Sequence, residues 1–410
     1  MNVLIVDPGL RSMAGHHYSA VRRLRSELAK LGVKVRSLGS AYADVGVIAD
    51  LACTPTFSRS VYGRTYARRS EFRESVEETE RELRAAWCRA HEPPDLIVLP
   101  CCDQVLASAL ARLLRRSWRA APPRVLMWIL YGPHHALPTA DPASVALQPE
   151  AEMALRELAA IVGPDRMKVH CETPALADFY QRLTGLDVAI LPGPGLQLPA
   201  RAESLKGRAP VVCSIGFANR SKGYHLLPEA IAHVMARHAE ARFAIHGVVR
   251  GSDAEGDDAA FEALSTLGER VVVNQDVLSP HEYVAWLSAA DLLLMPYDPY
   301  AYRSRGSGVI ADARAIGIPV VATSECAFAQ PAFDEGWGQP IDEYSGRGVG
   351  LATMIALDRL PLLRARAAKA AGLVSDDLGQ VLQSAVAGRS HRGVSGKGAA
   401  MLRQIGARFA

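Results

Sequence analysis

Short apolar runs alternate with helical patterns along most of the chain, and this alternation limits the folds that it can adopt. Residues 2–6, 95–99 and 124–130 (N-V-L-I-V, D-L-I-V-L and R-V-L-M-W-I-L) have the continuous apolar character of strands that are buried on both faces. Segments with apolar residues at helical spacing separate these runs. Strands that alternate with helices in this way predict parallel sheets with helices on both faces.

The alternation occurs twice, on either side of residues 193–210, which are rich in Pro and Gly, lack periodicity and are typical of a linker. The chain is also longer than the roughly 250–300 residues at which a single core stops growing. We therefore predict an α/β fold with two doubly wound, Rossmann-like domains, residues 1–192 and 211–375, followed by a basic tail at 376–410. Two such domains facing each other would form a cleft at the carboxyl ends of their strands. Further strands are predicted at 33–38, 167–171, 188–191, 211–215, 242–246, 270–274, 291–295 and 318–323.

Composition and charge exclude several classes of protein. The chain is 49% hydrophobic and 22% charged, which is typical of a soluble globular protein, and its net charge of +3 is too small to indicate a nucleic-acid partner. No run reaches the roughly 18 apolar residues of a membrane span, and the first residues predict a strand rather than a signal peptide. Seven scattered cysteines without a C-x-x-C motif favour reduced thiols, a cytoplasmic location and no zinc site.

Gly306-Ser307-Gly308 lies between a predicted strand and a predicted helix that carries Asp312. Glycines allow the backbone to approach a ligand closely, and the first turn of a helix has unpaired N–H groups that suit a phosphate. Asp312, one turn further on, is placed to accept hydrogen bonds from two adjacent ribose hydroxyls. The alternative is a tight turn beside a solvated acid.

Two other loops lie at equivalent positions between a strand and a helix. Residues 216–223 carry Arg220 and Lys222, whose positive charges suit a diphosphate. The loop after the first strand contains Gly15, His16 and His17. Basic loops are commonly solvated, but three such loops at equivalent strand ends favour a ligand site.

The second half of the chain resembles a known family. Residues 291–321 (D-L-L-L-M-P-Y … G-S-G-V-I-A-D-A-R-A-I-G-I-P-V-V) resemble the donor-site signature of GT-B glycosyltransferases of the family-4, or group 1, type. Residues 216–227 (G-F-A-N-R-S-K-G-Y-H-L-L) resemble the phosphate-binding loop of that family. The resemblance extends over residues 208–375, and in the first half only over the first strand, its glycine loop and the helix after it.

The resemblance implies a role for each matching residue. Lys222 matches the lysine that binds the pyrophosphate, and Asp312 matches the second acid of the E-x7-E motif, which binds the donor ribose. The diphosphate would be bound by the backbone N–H groups of Ser307, Gly308 and Val309.

The chain departs from the family pattern at three positions. Ser304 lies where E-x7-E has its first acid, and Phe217 lies where an arginine usually follows the first glycine of the lysine loop, although Arg220 is close enough to substitute. Asp312 is also one methylene shorter than the usual glutamate. These changes concern the sugar contacts more than the nucleotide site. They leave a catalytically silent nucleotide-sugar-binding or scaffold relative as an alternative.

The resemblance further implies a retaining, metal-independent glycosyltransferase without a tightly bound cofactor, which uses a UDP- or GDP-linked sugar. Arg220, Lys222 and the helix N-terminus would stabilise the departing diphosphate. The acceptor would be a carbohydrate, a lipid-linked molecule or a small molecule. Another GT-B enzyme, an epimerase or a phosphorylase, is an alternative. An NAD dehydrogenase is disfavoured because no G-x-G-x-x-G follows a strand.

Histidines in two loops are candidates for the chemistry. His134 and His135 follow the strand at 124–130, where family members often place a histidine near the donor sugar. His16 and His17, beside Gly15, would lie where acceptor and donor phosphate meet. In both loops the alternative is a histidine that packs against neighbouring residues.

Residues 59–73 combine arginines with Tyr62, Tyr66 and Phe72, a composition found in segments that contact anionic membrane surfaces. This composition predicts peripheral contact with the inner face of the membrane, with a solvated loop over the cleft as the alternative. In GT-B proteins a C-terminal helix often crosses back to the first domain, which would give the tail at 376–410 a structural role.

Overall fold

The computed structural model describes residues 1–61, 64, 66, 68–88, 92–117, 122–132, 148–195, 208–249, 254–371 and 377–388. Within these residues the chain forms two parallel β-sheets, one in each half, and a small two-stranded ladder. The prediction of an α/β fold built from two doubly wound parallel sheets is confirmed.

The sheet of the first half has seven parallel strands. They are β1 (Asn2–Val6), β2 (Lys34–Ser40), β3 (Cys53–Phe57), β4 (Leu96–Leu99), β5 (Arg124–Ile129), β6 (Met167–Cys171) and β7 (Val188–Ile190). Their order in the sheet is β3-β2-β1-β4-β5-β6-β7. The helices of this half are α1 (His16–Lys30), α2 (Val45–Leu51), α3 (Arg69–Cys88), α4 (Gln104–Ser117), α5 (Gln148–Val162) and α6 (Pro174–Thr184).

The second half repeats this plan. Its strands are β8 (Val211–Ser214), β9 (Phe217–Ala218), β10 (Arg242–His246), β11 (Val248–Val249), β12 (Val271–Asn274), β13 (Leu292–Met295), β14 (Val320–Thr323) and β15 (Gly338–Ile341). Six of them form a parallel sheet in the order β12-β10-β8-β13-β14-β15, and β9 pairs with β11. The helices are α7 (Leu227–Arg237), α8 (Ala254–Ser265), α9 (Pro280–Ala289), α10 (Gly308–Ile316), α11 (Gln330–Asp334), α12 (Gly346–Asp358), α13 (Leu360–Ala371) and α14 (Asp377–Ala387).

Each sheet has a hydrophobic core on both faces, which explains its uninterrupted apolar strands. In β1, Val3 and Ile5 belong to one core, whereas Leu4 and Val6 belong to the core on the opposite face. Alternate residues of a strand point to opposite faces, so a strand between two helical layers needs apolar residues at every position. The central strand β13 of the second sheet follows the same rule.

The last described helix, α14, packs against the first domain. Leu382 is fully buried in the same core as Leu24 and Leu28 of α1, and Leu378 and Val381 lie at its margin. The chain therefore returns to the first domain after completing the second. None of the described helices combines the length and the apolar character that crossing a membrane requires.

Candidate active site

A cleft with a volume of about 390 Å³ lies between the two sheets, at the carboxyl ends of the strands of both. Its walls include Gly15 and His16 after β1, Tyr131 after β5 and Glu172 after β6. On the opposite side it is lined by Gly216 after β8 and by the loop from 305 to 309 that follows β13. The volume falls within the range of roughly 300–1,000 Å³ that is usual for small-molecule sites.

The N-terminus of α10 opens into this cleft. Ser307 is the N-cap residue, but its side chain forms no capping hydrogen bond, and the first turn of α10 contains no acid. Ser307, Gly308 and Val309 all line the cleft. The first backbone N–H groups of the helix and the positive end of its dipole are therefore directed toward a bound anion.

Lys222 lies in the loop between β9 and α7 and extends into the cleft. Asn219 holds the loop, because its side-chain oxygen accepts hydrogen bonds from Lys222 N at 3.0 Å and from Ser221 Oγ at 2.8 Å. Gly216 makes room for the lysine: its φ is +139°, and a Cβ there would lie 2.7 Å from Lys222 Nζ. Burial, with a smaller contribution from the charge of Arg305, lowers the pKa of Lys222 to about 8. The ammonium group is thus partly desolvated and suited to binding an anion.

Arg305 brings a second cation into the cleft, and we did not predict it. Its guanidinium carbon lies 4.4 Å from the ring centroid of Tyr131 and 4.5 Å from that of Tyr302. Since Tyr131 belongs to the first domain and Tyr302 to the second, the arginine bridges the cleft through cation–π contacts. Arg305 Nε is buried and has no hydrogen-bond partner among the described residues. Its position in the loop S-R-G-S-G, directly before the glycines, is the feature of the sequence that could have indicated it.

Asp312 lies on the cleft side of α10 and is 9% exposed. Its Oδ2 accepts a hydrogen bond from the hydroxyl of Tyr283 on α9, at 2.7 Å. Burial raises the pKa of Asp312 to about 7, although the Tyr283 hydrogen bond opposes that shift. A ligand that donates hydrogen bonds to this carboxylate would relieve the desolvation, as two ribose hydroxyls would.

Residues 209–337 match the family of glycosyl transferases group 1. This match confirms the resemblance inferred from the second half of the sequence, and the chain has the GT-B fold. A search of curated proteins gives no match.

Solved structures show the same GT-B fold along nearly the whole chain. Sucrose-phosphate synthase from Thermosynechococcus elongatus is 16% identical with a TM-score of 0.62, over 95% of this chain and 100% of the other. WaaG, a glycosyltransferase involved in lipopolysaccharide biosynthesis, is also 16% identical, with a TM-score of 0.58 over 95% and 100%. HepE from Anabaena, in complex with UDP and glucose, is 13% identical with a TM-score of 0.64 over 94% and 99%.

The first domain of this GT-B protein contributes His16 to the cleft. Desolvation in the cleft lowers the pKa of His16 well below its ordinary value, and the charges of His17, Lys222 and Arg305 act in the same direction. The imidazole is therefore neutral and a weaker base than an ordinary histidine. His17 does not line the cleft; its Nδ1 donates to both oxygens of the fully buried Asp7, at 2.8 and 2.9 Å.

His16, His17 and Cys101 have the spacing of a metal-binding group, with ligand atoms within 4.8 Å of one another. Burial raises the pKa of the Cys101 thiol well above its ordinary value, and the nearby acids Asp7 and Glu172 raise it further. A metal ion would have to displace that proton, because the thiolate is the ligand.

Glu172, which the sequence analysis did not identify as a site residue, lines the cleft. It precedes α6, whose N-cap is Thr173. Its Oε1 accepts a hydrogen bond from the backbone N–H of Gly193 at 3.1 Å. Burial raises the pKa of Glu172, whereas this hydrogen bond and the charge of Arg305 lower it.

The remaining predicted site residues lie elsewhere. Arg220 is exposed and does not line the cleft, where Arg305 provides the second positive charge. His134 and His135 lie outside the described residues. In the basic segment at 59–73, Tyr66 and Phe72 are buried in the core of the first domain. Arg64 and Arg68 of the same segment are exposed.

Proposed function

We propose that this GT-B protein transfers a sugar from a nucleoside diphosphate sugar to an acceptor hydroxyl, with retention of configuration and without a metal ion. The observation that carries the proposal is the convergence of Lys222, Arg305 and the open N-terminus of α10 on one cleft. These three sources of positive potential suit a diphosphate. Asp312, one turn into the helix, is then positioned for the ribose.

The same groups account for catalysis by positioning and charge stabilisation. As the acceptor oxygen bonds to the anomeric carbon, the bond from that carbon to the diphosphate oxygen breaks, and negative charge develops on the diphosphate. Lys222, Arg305 and the N–H groups of α10 stabilise this charge where it forms. In the retaining route the acceptor attacks from the same face as the leaving group, and its proton passes to the departing diphosphate. Arg220, which is exposed and does not line the cleft, has no direct part in this step.

The donor is proposed to be a UDP- or GDP-linked sugar. The similar HepE structure contains UDP and glucose, which supports a nucleotide-sugar donor in a fold of this kind. Val248, Val277 and Leu278 provide an apolar surface on the second-domain side of the cleft, which suits the flat face of a base. No tightly bound cofactor is needed by this chemistry.

The acceptor is proposed to enter from the first domain, beside Gly15 and His16, and to be a carbohydrate, a lipid-linked molecule or a small molecule. The exposed arginines of the segment at 59–73 support peripheral contact with the anionic inner face of the membrane from the cytoplasm. Sedimentation with anionic vesicles tests this contact. Charge reversal at Arg64, Arg68 and Arg69 should abolish it, and unchanged sedimentation would contradict it.

A thermal-shift panel with UDP, GDP and their sugars, followed by donor-consumption assays, tests the function. One nucleotide should raise the Tm, and Lys222→Ala or Asp312→Ala should abolish the shift. Lys369→Ala, which removes an exposed lysine of the same domain, is the matched control. Turnover should withstand EDTA, and NMR of the product should show retention at the anomeric carbon. A chain that responds to neither nucleotide would refute the proposal.

Ser304, in place of the first motif acid, supports a second candidate: a relative that binds nucleotide sugars without transferring them. Nucleotide binding without turnover over a broad acceptor panel would favour it. The same NMR experiment would reveal an epimerase by a change within the donor sugar, and a phosphorylase by a dependence on inorganic phosphate.

A further inference from the structure

The loop that lacks the expected acid is covered by the first domain. The backbone carbonyl of Ser304 accepts a hydrogen bond from the hydroxyl of Thr173, the N-cap residue of α6. The next residue, Arg305, packs on Tyr131 of the first domain. The turn between β6 and α6 therefore lies directly against the segment in which group 1 enzymes place the first acid of their motif.

Glu172 places its carboxylate at this contact. One oxygen, Oε1, is fixed by the N–H of Gly193 at 3.1 Å. The other, Oε2, lies so close to Gly306 that a Cβ at that position would overlap with it. Glu172, Gly193 and Gly306 all line the cleft. The first domain thus supplies a carboxylate to the very loop of the second domain that has none of its own at Ser304.

We propose that Glu172 binds hydroxyl groups of the transferred sugar and takes over the role of the acid absent at Ser304. This inference rests on the proposed function and adds to it the residue and the class of sugar that the residue selects. The rest of the donor has other partners: the diphosphate binds Lys222, Arg305 and the N-terminus of α10, and the ribose binds Asp312. A carboxylate beside a diphosphate would be repelled, whereas sugar hydroxyls are good donors to it.

The charge of Glu172 restricts which sugar fits. Burial raises the pKa of Glu172, and the charge of Arg305 partly offsets that shift. A neutral hexose adds hydrogen bonds to the buried carboxylate without adding charge. A uronic acid would place a second carboxylate in the same desolvated space, which is unfavourable because like charges are poorly screened there. We therefore expect neutral hexoses to be preferred over uronic acids.

Glu172 and the nucleotide site belong to different domains, so their contributions to donor binding can be measured separately. Lys222, Asp312 and α10 all belong to the second domain, whereas Glu172 belongs to the first. Removal of the Glu172 charge should leave the affinity for UDP or GDP alone unchanged and should affect only what the sugar adds. A residue that merely held the two domains together would change both.

Calorimetric titration of the full chain provides the test, with UDP, GDP, UDP-glucose, GDP-mannose and UDP-glucuronic acid as ligands. In Glu172→Gln the Kd for the free nucleotide should stay within about twofold of wild type. The affinity that the hexose adds should fall by about tenfold or more, and donor turnover should fall in parallel. Discrimination against UDP-glucuronic acid should weaken as well.

Two further variants guard against a trivial loss of structure. Gly306→Ala keeps the carboxylate but displaces it, and should reproduce the loss of hexose affinity. Glu172→Ala combined with Ser304→Glu returns an acid from the second domain and should recover part of the hexose affinity. The role of Glu172 would be refuted, with the proposed function intact, if Glu172→Gln bound the hexose as wild type does. It would also be refuted if that variant lost as much affinity for the free nucleotide as for the nucleotide sugar. Absence of nucleotide binding in the wild type would overturn the proposed function with it.

Discussion

Replacement of Asp312 by asparagine is expected to stabilise the unliganded protein at neutral and alkaline pH. Asp312 is 9% exposed and accepts a hydrogen bond from Tyr283. Burial raises its pKa from 3.8 to about 7, so the folded chain holds this proton more tightly than the unfolded chain does. For an acid shifted in this direction, stability is greatest at low pH and falls as the pH rises from about 4 to about 7.

The magnitude follows from the shift. One pKa unit corresponds to about 1.4 kcal/mol, so a shift of about three units costs at most about 4 kcal/mol in free energy of unfolding, reached above pH 7. Asparagine retains an oxygen that can accept the Tyr283 hydrogen bond and carries no charge. Allowing for relaxation around the carboxylate, we expect Asp312→Asn to gain about 1–3 kcal/mol at pH 8 and close to nothing at pH 4.

Differential scanning calorimetry between pH 4 and pH 8 measures this difference and separates the transitions of the two domains, which a single two-state analysis would merge. Glu262→Gln removes one exposed charge from the same domain and should show no comparable trend. Tyr283→Phe removes the hydroxyl that stabilises the carboxylate and should steepen the pH dependence. A difference between Asp312→Asn and wild type that is constant from pH 4 to pH 8 would refute the reasoning.

The same variant should bind UDP or GDP at least about tenfold more weakly, because the ribose loses an ionised acceptor.

Three further outcomes follow from the geometry of the cleft. Nucleotide affinity, measured by titration above pH 7, should decline as the pH rises through about 8, because the free protein then loses the positive charge of Lys222. In Arg305→Gln that decline should move to higher pH, since the charge of Arg305 lowers the pKa of Lys222; an unchanged midpoint would argue against their interaction. Gly216→Ala should destabilise the fold by about 1 kcal/mol and weaken nucleotide binding about tenfold or more. Gly268→Ala is its matched control, because Gly268 has a φ of +90° with nothing within 4 Å of the added Cβ, and it should affect stability alone.

The sequence predicted the buried central strands best, because burial on both faces alone determines their run of apolar residues. The central strands β1, β4 and β13 contact cores on both faces, so every buried position is apolar. Their predicted bounds agree with the observed ones to within a residue. The pattern did not reveal β3 (C-T-P-T-F), an edge strand with a proline and two exposed residues, because an edge strand needs neither continuous burial nor every ladder hydrogen bond.

Only the part of the candidate site that is formed by neighbouring residues could be predicted from the sequence. Lys222 and Asp312 lie within short motifs, since the loop after β9 and the first turn of α10 each bring their ligand groups together from neighbouring residues. Arg305 gains its place in the site from Tyr131, which is distant in sequence, and Glu172 gains its place from the approach of the two domains. Neither contact has a local pattern. Arg220 has the residue type that a diphosphate needs, but its side chain lies outside the cleft.

Contacts to the diphosphate restrict the sequence more than contacts to the sugar do. A diphosphate needs backbone N–H groups and cations at fixed positions. Each loop that supplies them does so only with a particular order of neighbouring residues, which makes it recognisable as a motif. A sugar needs hydrogen-bond acceptors around it, and any strand end that faces the cleft can provide one. With an acid at Glu172 instead of at position 304, the sugar contact is preserved, but the first domain supplies it instead of the second. Sugar recognition would then depend on closure of the cleft, whereas nucleotide binding would not, so the donor sugar itself would favour the closed arrangement in which transfer occurs.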